Sequence, residues 1–358
     1  MTRYSLTALG IVATSITLVA CADHVNGPIS VNPSSFAAAV TATSTFTPEK
    51  LISGSMANAV NDKGDVVGYG TGAVCTRDQL PRLWRADGTM VNLPTGTHCA
   101  GNAFFISNTG YIIGELYIPN GMALWTPNAS GGYDLQELEP ANGRVLHPEG
   151  VNDAGEIVAS FMPIGGKVPE IFYRTVSSTS WTAVQAPAGA TACTLGRINN
   201  NGAFVGYCYA NGAALTGYLW ANHDATPTSL PRPVTPYNVF VTGINDAGVI
   251  VGRIGDCSIP KALRWTLADG VYKVEILPDA GKGASALAVS SNGTVAGSVG
   301  KGGNANGTAA LWTGSSGYQL LPVIGRSYQS SGASDVTTTS GGATIVVGAQ
   351  DGVALRWK

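Results

Sequence analysis

The sequence predicts an all-β chain closed into a seven-bladed β-propeller, each blade a four-stranded repeat of about 46 residues. Three observations predict it. A phrase of the form apolar-Asn-Asp-x-Gly, followed by branched apolar residues and one small residue, returns seven times. An aromatic-ended strand follows it in every repeat. The last repeat stops one strand short, and a segment resembling the missing strand lies ahead of the first.

Composition agrees. The chain has 47 Gly and 19 Pro among 358 residues, a richness in turn formers, and only 12% charged residues, against about 25% in an average soluble protein. A net charge of −2 leaves no electrostatic footprint for nucleic acid. The 44% apolar content excludes intrinsic disorder, and past the N-terminus no apolar run is long enough to span a bilayer.

The first element is an address. Met1 to Tyr4 carries one positive charge, and the uncharged apolar stretch Ser5 to Ala20 ends in Leu18-Val19-Ala20-Cys21. A short apolar core closed by small residues reads as a secretory signal over residues 1–20. Leu-Val-Ala-Cys resembles the bacterial lipoprotein lipobox, which implies that Cys21 becomes the lipidated first residue of the mature chain. Ala22 follows it, which by resemblance to enterobacterial sorting implies the outer membrane. An ordinary signal peptide with a chance Cys is the alternative. Residues 21–43 are rich in Ala, Ser, Thr, Asn and Pro, with almost no charge, and read as a flexible tether.

The propeller is expected over residues 44–358. Its phrase begins at Val60, Ile106, Val151, Ile198, Ile244 and Val289, with a degraded copy from Val336. The small residue that ends it falls at 68, 114, 159, 206, 252, 297 and 348, spaced by 46, 45, 47, 46, 45 and 51. Asn-Asp-Ala-Gly between apolar runs is a tight hairpin signal, in which Gly accepts a left-handed backbone. The branched run after it is a buried strand, ending in a Gly where neighbouring sheets crowd. Leu83-Trp84, Leu124-Trp125, Phe172-Tyr173, Leu219-Trp220, Trp265, Leu311-Trp312 and Trp357 mark the third strand. A run typically ending in Leu-Pro, as at Pro94, Pro231, Pro278 and Pro322, marks the fourth. A calcium loop is the alternative reading of Asn-Asp-x-Gly, but it lacks the spaced acidic ligands such loops use.

The seventh repeat ends at Trp357-Lys358, before a fourth strand, and Phe46 to Leu51 resembles the missing piece. Pairing that N-terminal strand into the last blade closes the ring and removes the exposed sheet edges. A solenoid of the same repeats is the runner-up, against which the absent C-terminal strand argues.

The phrase Ile-Asn-Asp-Ala-Gly-x-Ile-Val-Gly, followed by x-Ala-Leu-x-Trp, resembles the HAF-repeat extracellular proteins over about residues 51–358. The resemblance implies a propeller-like repeat and no particular activity. Met122, Lys261, Ala309 and Val353 stand at the family's His position and Leu replaces its Phe, so no role of that histidine carries over.

Five cysteines remain after Cys21, in a compartment that permits disulfides. Cys193 and Cys208 flank the Asn199–Gly202 turn symmetrically, which would set them opposite one another; a bulge at Gly202 would shift that register by one. Cys75 and Cys99 fall in loops of adjacent blades on one face and form a second candidate pair. Cys257 is left over, either buried or bonded to another molecule.

His24, His98, His147 and His223 are isolated, and no metal-ligand spacing, catalytic elbow, phosphate loop or nucleotide fingerprint occurs. The sequence therefore gives no catalytic residue, metal or cofactor. Loops between blades converge near the axis of such a ring, and they hold His98, Arg144, His147, Tyr237, Lys282, Arg326 and Tyr328. Arg77, Asp78 and Tyr209 join them from second-to-third-strand loops on the same face. These ten are the ligand-binding candidates.

Two function classes follow. The first is an envelope-anchored, non-catalytic module, expected to be monomeric and held to the membrane by its lipid alone, that recognises a glycan, an envelope component or a protein. The second is an extracellular polysaccharide hydrolase or lyase, which needs two carboxylates or a His-Arg-Tyr set within reach on the loop face. Acidic residues are scarce in the predicted loops, which favours the first.

Overall fold

A computed structural model describes residues 45–72, 79–141, 146–161, 170–210, 213–235, 237–255, 259–300, 307–325 and 330–358. The expected Cys21, the leader and the tether lie outside them, as do Cys75, Arg77, Asp78, Arg144, Cys257, Arg326 and Tyr328.

The first strand, β1 (Pro48–Ser53), is set aside for the last blade. Blade one is β2 (Met56–Val60), β3 (Val66–Gly70), β4 (Leu80–Trp84) and β5 (Met90–Asn92). Blade two is β6 (Ala100–Ile106), β7 (Ile112–Tyr117), β8 (Gly121–Pro127) and β9 (Tyr133–Leu138). Blade three is β10 (His147–Val151), β11 (Glu156–Phe161), β12 (Glu170–Thr175) and β13 (Thr182–Ala183). Blade four is β14 (Ala190–Ile198), β15 (Phe204–Ala210), β16 (Thr216–Trp220) and β17 (Thr228–Ser229). Blade five is β18 (Val239–Ile244), β19 (Ile250–Ile254), β20 (Lys261–Ala268) and β21 (Val271–Ile276). Blade six is β22 (Ala284–Val289), β23 (Val295–Val299), β24 (Thr308–Trp312) and β25 (Gln319–Leu320). Blade seven is β26 (Ser331–Thr338), β27 (Thr344–Gln350) and β28 (Val353–Trp357), with β1 antiparallel to β28 as its outer strand. The chain is therefore a closed seven-bladed propeller, joined by the N-terminal strand as the sequence predicts.

The first strands β2, β6, β10, β14, β18, β22 and β26 pack on one another in a circle and form the inner wall. Apolar clusters fill the spaces between consecutive blades; one joins Val205 of blade four to Ile250 and Trp265 of blade five. Burying such a side chain contributes about 1.5–3 kcal/mol.

The repeated phrase is the fastener between blades. Asn199 Oδ1 accepts from the N–H groups of Asn201 and Ala203, closing its own turn, while its Nδ2 donates to Asn245 O of the next blade at 3.0 Å. The following position donates to the next blade as well. Asn200 N–H and Nδ2 donate to the two oxygens of Asp246 at 2.7 and 3.0 Å. Asn108 bonds to Asp153 in the same way. Gly155 sits at φ 77°, the left-handed turn position the sequence requires.

The aromatic landmark is a second fastener. The indole N–H groups of Trp125, Trp265, Trp312 and Trp357 donate to the carbonyls of Pro94, Pro231, Pro278 and Pro322 of the preceding blade at 2.7–2.8 Å. Trp220 uses Gln185 O. Blade three has Tyr173 instead of an indole there, and Trp181 from the next hairpin donates to Glu139 O in its place. Trp84 breaks the series: its buried Nε1 has no acceptor among the described residues. At that seam, between blades seven and one, Arg356 bonds Glu49 of β1 and the carbonyls of Gly64 and Arg85.

One expectation needs correcting. The Gly that ends the second strand does not answer crowding by a neighbouring sheet. A Cβ on Gly252 would lie 2.0 Å from Phe240 O, in the inner strand of its own blade. The cause is a β-bulge, which pushes the inner strand towards its partner. All seven inner pairs carry a register shift at this level.

Candidate functional site on the loop face of the axis

The bulge inserts Asn58, Phe104, Glu149, Thr242, Leu287 and Ser334 into the six inner strands outside blade four, and that level faces the axis. In blade four Gly196 and Arg197 together stand opposite the single residue Val205. The next level holds Ala59, Phe105, Gly150, Gly243, Ala288 and Asp335. Because four of these are Gly or Ala, Arg197 has room to cross. Its Nη1 pairs with Asp335 Oδ1 at 2.8 Å, and its guanidinium lies 5.6 Å from the Phe105 ring centre. The buried Asp335 carboxylate also accepts the Val60 and Val336 N–H groups.

This pair lies between two cavities on the axis. On the turn face, a cavity of about 150 Å³ has branched apolar walls, such as Val60, Ile106 and Ile244, under a rim of Asp62, Asp153 and Asp246. On the loop face, a cavity of about 120 Å³ is lined by Phe104, Phe105, Tyr207, Glu149, Thr194 and Ser334, with Arg197 common to both.

The loop-face cavity adjoins the main electrostatic cluster. Glu149 is 6% exposed, and Ser160 Oγ–H donates to its Oε1 at 2.5 Å. Burial pushes its carboxyl up to about 7, against the lowering pull of His147. His147 Nδ1 meets Glu115 Oε1 at 2.6 Å, and Tyr117 O–H donates to Glu115 Oε2. Burial alone would lower the His147 pKa; the Glu149 and Glu115 carboxylates outweigh it and raise it to about 9. Behind the Tyr207 wall of the cavity, Phe240 packs edge-on against Tyr207 at 5.2 Å, and Arg253 lies 4.2 Å from the Phe240 ring centre. Burial lowers the Arg253 pKa. Such a site can discriminate charge and ring shape. Among the described residues no three His, Cys, Asp or Glu side chains gather to hold a metal ion.

Of the sequence candidates, the structure brings His147 to this cluster, as the first residue of β10 and not in a loop. His98 is buried, with Nδ1 on Pro119 O and Nε2 3.1 Å from Glu137, so both nitrogens are spent within blade two. Tyr237 packs partly buried against the apolar layer of blades four and five. Lys282 is exposed, its N–H closing a turn on Asp279 O. Tyr209 is 39% exposed and lies in β15. Cys193 and Cys208 form a disulfide with S–S 2.03 Å. Cys99 lies just before β6, while its candidate partner Cys75 falls outside the described residues.

Sequence reasoning missed Glu115, Glu149, Arg197, Arg253 and Asp335. All five are strand residues, whereas the ten sequence candidates stand in predicted loops. Aligning the repeats would have shown Arg197 and Asp335 in a column otherwise of Ala, Gly and Phe.

No protein-family model matches the chain, and no curated protein matches it. Solved structures share its fold. YCF48 bound to D1 peptide is 14% identical with a TM-score of 0.57, covering 91% of this chain and 98% of that one. The β-propeller domain of the Trilobed protease from Pyrococcus furiosus is 11% identical with a TM-score of 0.56, covering 85% and 93%. A puromycin hydrolase is 14% identical with a TM-score of 0.57 over 84% of this chain, which spans only 50% of that enzyme. The class is thus a seven-bladed propeller, a fold whose solved members include binding proteins and enzymes.

Proposed function

We propose that this chain is a lipid-anchored envelope protein whose propeller is a non-catalytic binding module for a glycan, an envelope component or a protein. The observation that carries the reading is the charged, aromatic-walled cavity of about 120 Å³ at the loop end of the axis, backed by the Arg197–Asp335 pair. Pockets that enclose a whole small molecule run about 300–1,000 Å³, so this one takes a single group of a larger ligand. The leader ending in Cys21 and the uncharged tether to residue 43 support display from a membrane. A fold shared with other propellers supports a rigid scaffold and no particular ligand.

A second reading, polysaccharide cleavage, draws on Glu149, whose carboxyl near 7 lies in the range of a general acid or base. Ser160 and the neighbouring His147 already hold that carboxyl, and we favour binding. The test is thermal unfolding of the mature chain against glycans, envelope fragments and divalent ions. A ligand for the folded ring raises the melting temperature by mass action. A rise without cleavage of the ligand supports a binding module; cleavage overturns the non-catalytic reading.

A further inference from the structure

Resting on the binding-module reading, we propose that the loop-face cavity is a seat for an acidic sugar, whose carboxylate is taken by Arg197, with Arg253 as a second cation behind the Phe240–Tyr207 wall. Three features carry this. Arg197 forms one ion pair, to Asp335, and the rest of its guanidinium has no protein acceptor among the described residues. Five N–H donors on one planar group match a carboxylate two at a time. Arg253 has a ring contact with Phe240 and no hydrogen bond or ion pair to any described residue. Both guanidinium groups are only partly in contact with water, and donors left unspent there favour an arriving acceptor. Asp335 cannot serve both cations, because its two oxygens already take Arg197 and the Val60 and Val336 N–H groups.

The remaining lining decides the class of acid. Phe104, Phe105 and Tyr207 offer ring faces or edges, and the hydroxyls of Thr194 and Ser334 stand beside them. Apolar faces with scattered hydroxyl partners suit a pyranose ring, which has C–H faces and an equator of hydroxyls. A uronate joins that ring to a carboxylate. A peptide C-terminus has the carboxylate but a flexible backbone that needs amide partners, and it is the competing ligand in the test.

The experiment titrates the full chain in mild detergent with D-glucuronate, D-glucose and N-acetyl-L-alanyl-L-alanine, following ligand signals by saturation-transfer NMR. Glucuronate should bind about tenfold or more tightly than glucose, since the two differ by the charged group. Arg253→Gln should weaken glucuronate by at least about fivefold with little change in thermal unfolding, because among the described residues Arg253 has only its ring contact with Phe240 to lose. Arg197→Lys, which keeps a cation for Asp335, should weaken it as well. Equal binding of glucose, or an Arg253→Gln variant with unaltered affinity, overturns the proposal. So does binding of the dipeptide without glucuronate, which would make this a peptide site. If none of the three binds while an envelope glycan still raises the melting temperature, the acidic-sugar assignment falls and the binding-module reading stands.

Discussion

Arg197 of the fourth blade and Asp335 of the seventh meet across the ring axis at 2.8 Å. The contact joins inner strands three blades apart, and Asp335 carries it on to the first blade through Val60 N–H. A spoke of this kind couples the halves of a ring whose strand-to-strand packing runs from each blade to the next. Arg197→Met should destabilise by roughly 2–3 kcal/mol, below the 3–5 kcal/mol typical of breaking a buried pair, since Arg197 keeps some exposure. Adding Asp335→Leu should recover most of that loss, because the stranded carboxylate is then gone. Urea unfolding of the parent and the two variants measures both steps; a double variant no more stable than Arg197→Met would contradict the account.

The indole fasteners give an internal control. Trp265→Phe and Trp84→Phe remove similar volume from buried sites, but among the described residues only Trp265 Nε1 of the two has an acceptor, Pro231 O. The first substitution should cost about 1–2 kcal/mol more than the second, the worth of a hydrogen bond whose buried carbonyl is left unpaired. Equal costs would mean that these bonds add nothing to blade cohesion.

The closing seam should be acid-sensitive. Arg356 and Lys358 hold the Glu49 carboxyl below its ordinary 4.5, with burial opposing. A lowered carboxylate contributes its stability in full above the unfolded value and loses it as pH falls through the folded one. Amide exchange in β1 should therefore speed up below about pH 4.5, relative to β26, at a pH where the other blades stay protected. Arg356→Met should bring that faster exchange to neutral pH and cost roughly 2–4 kcal/mol, since three acceptors lose one buried donor.

The loop-face cluster makes the opposite prediction. Glu149, raised to about 7, and His147, raised to about 9, both bind protons more tightly folded than unfolded. Stability from such groups is complete below the unfolded pKa and is lost as pH rises through the folded one. The melting temperature should fall between about pH 5 and 9, and Glu149→Gln should flatten the lower part of that fall. A profile unchanged by Glu149→Gln would show that its carboxyl is not held protonated.

The blades were legible because every repeat carries the same punctuation. Asn-Asp-x-Gly, the branched run and the Trp each answer a local need and a blade-to-blade bond at once, so periodicity reported both. The disulfide shows what was missed. The Asn199–Gly202 turn does shift the register, setting Ile198 opposite Phe204, and the inner-strand bulge then shifts it back, so that Cys193 faces Cys208. That bulge has no composition of its own: Asn58, Phe104, Glu149, Thr242, Leu287 and Ser334 share no chemistry. It also decides which side chains reach the axis, so the cavity residues stayed hidden while the fold did not. Glu115 and Arg253, each one position after the second-strand Gly, were hidden for the same reason.

Hydrogen exchange of the mature chain, with and without the glycan or envelope fraction that raises its melting temperature, tests the central claim most directly. The account predicts slowed exchange at the loop end of the axis, in residues 147–149, 194–197 and 239–242, with the turn-face segments 61–64, 152–155 and 245–248 unchanged. Protection confined to the turn face, or to the outer strands, would contradict it.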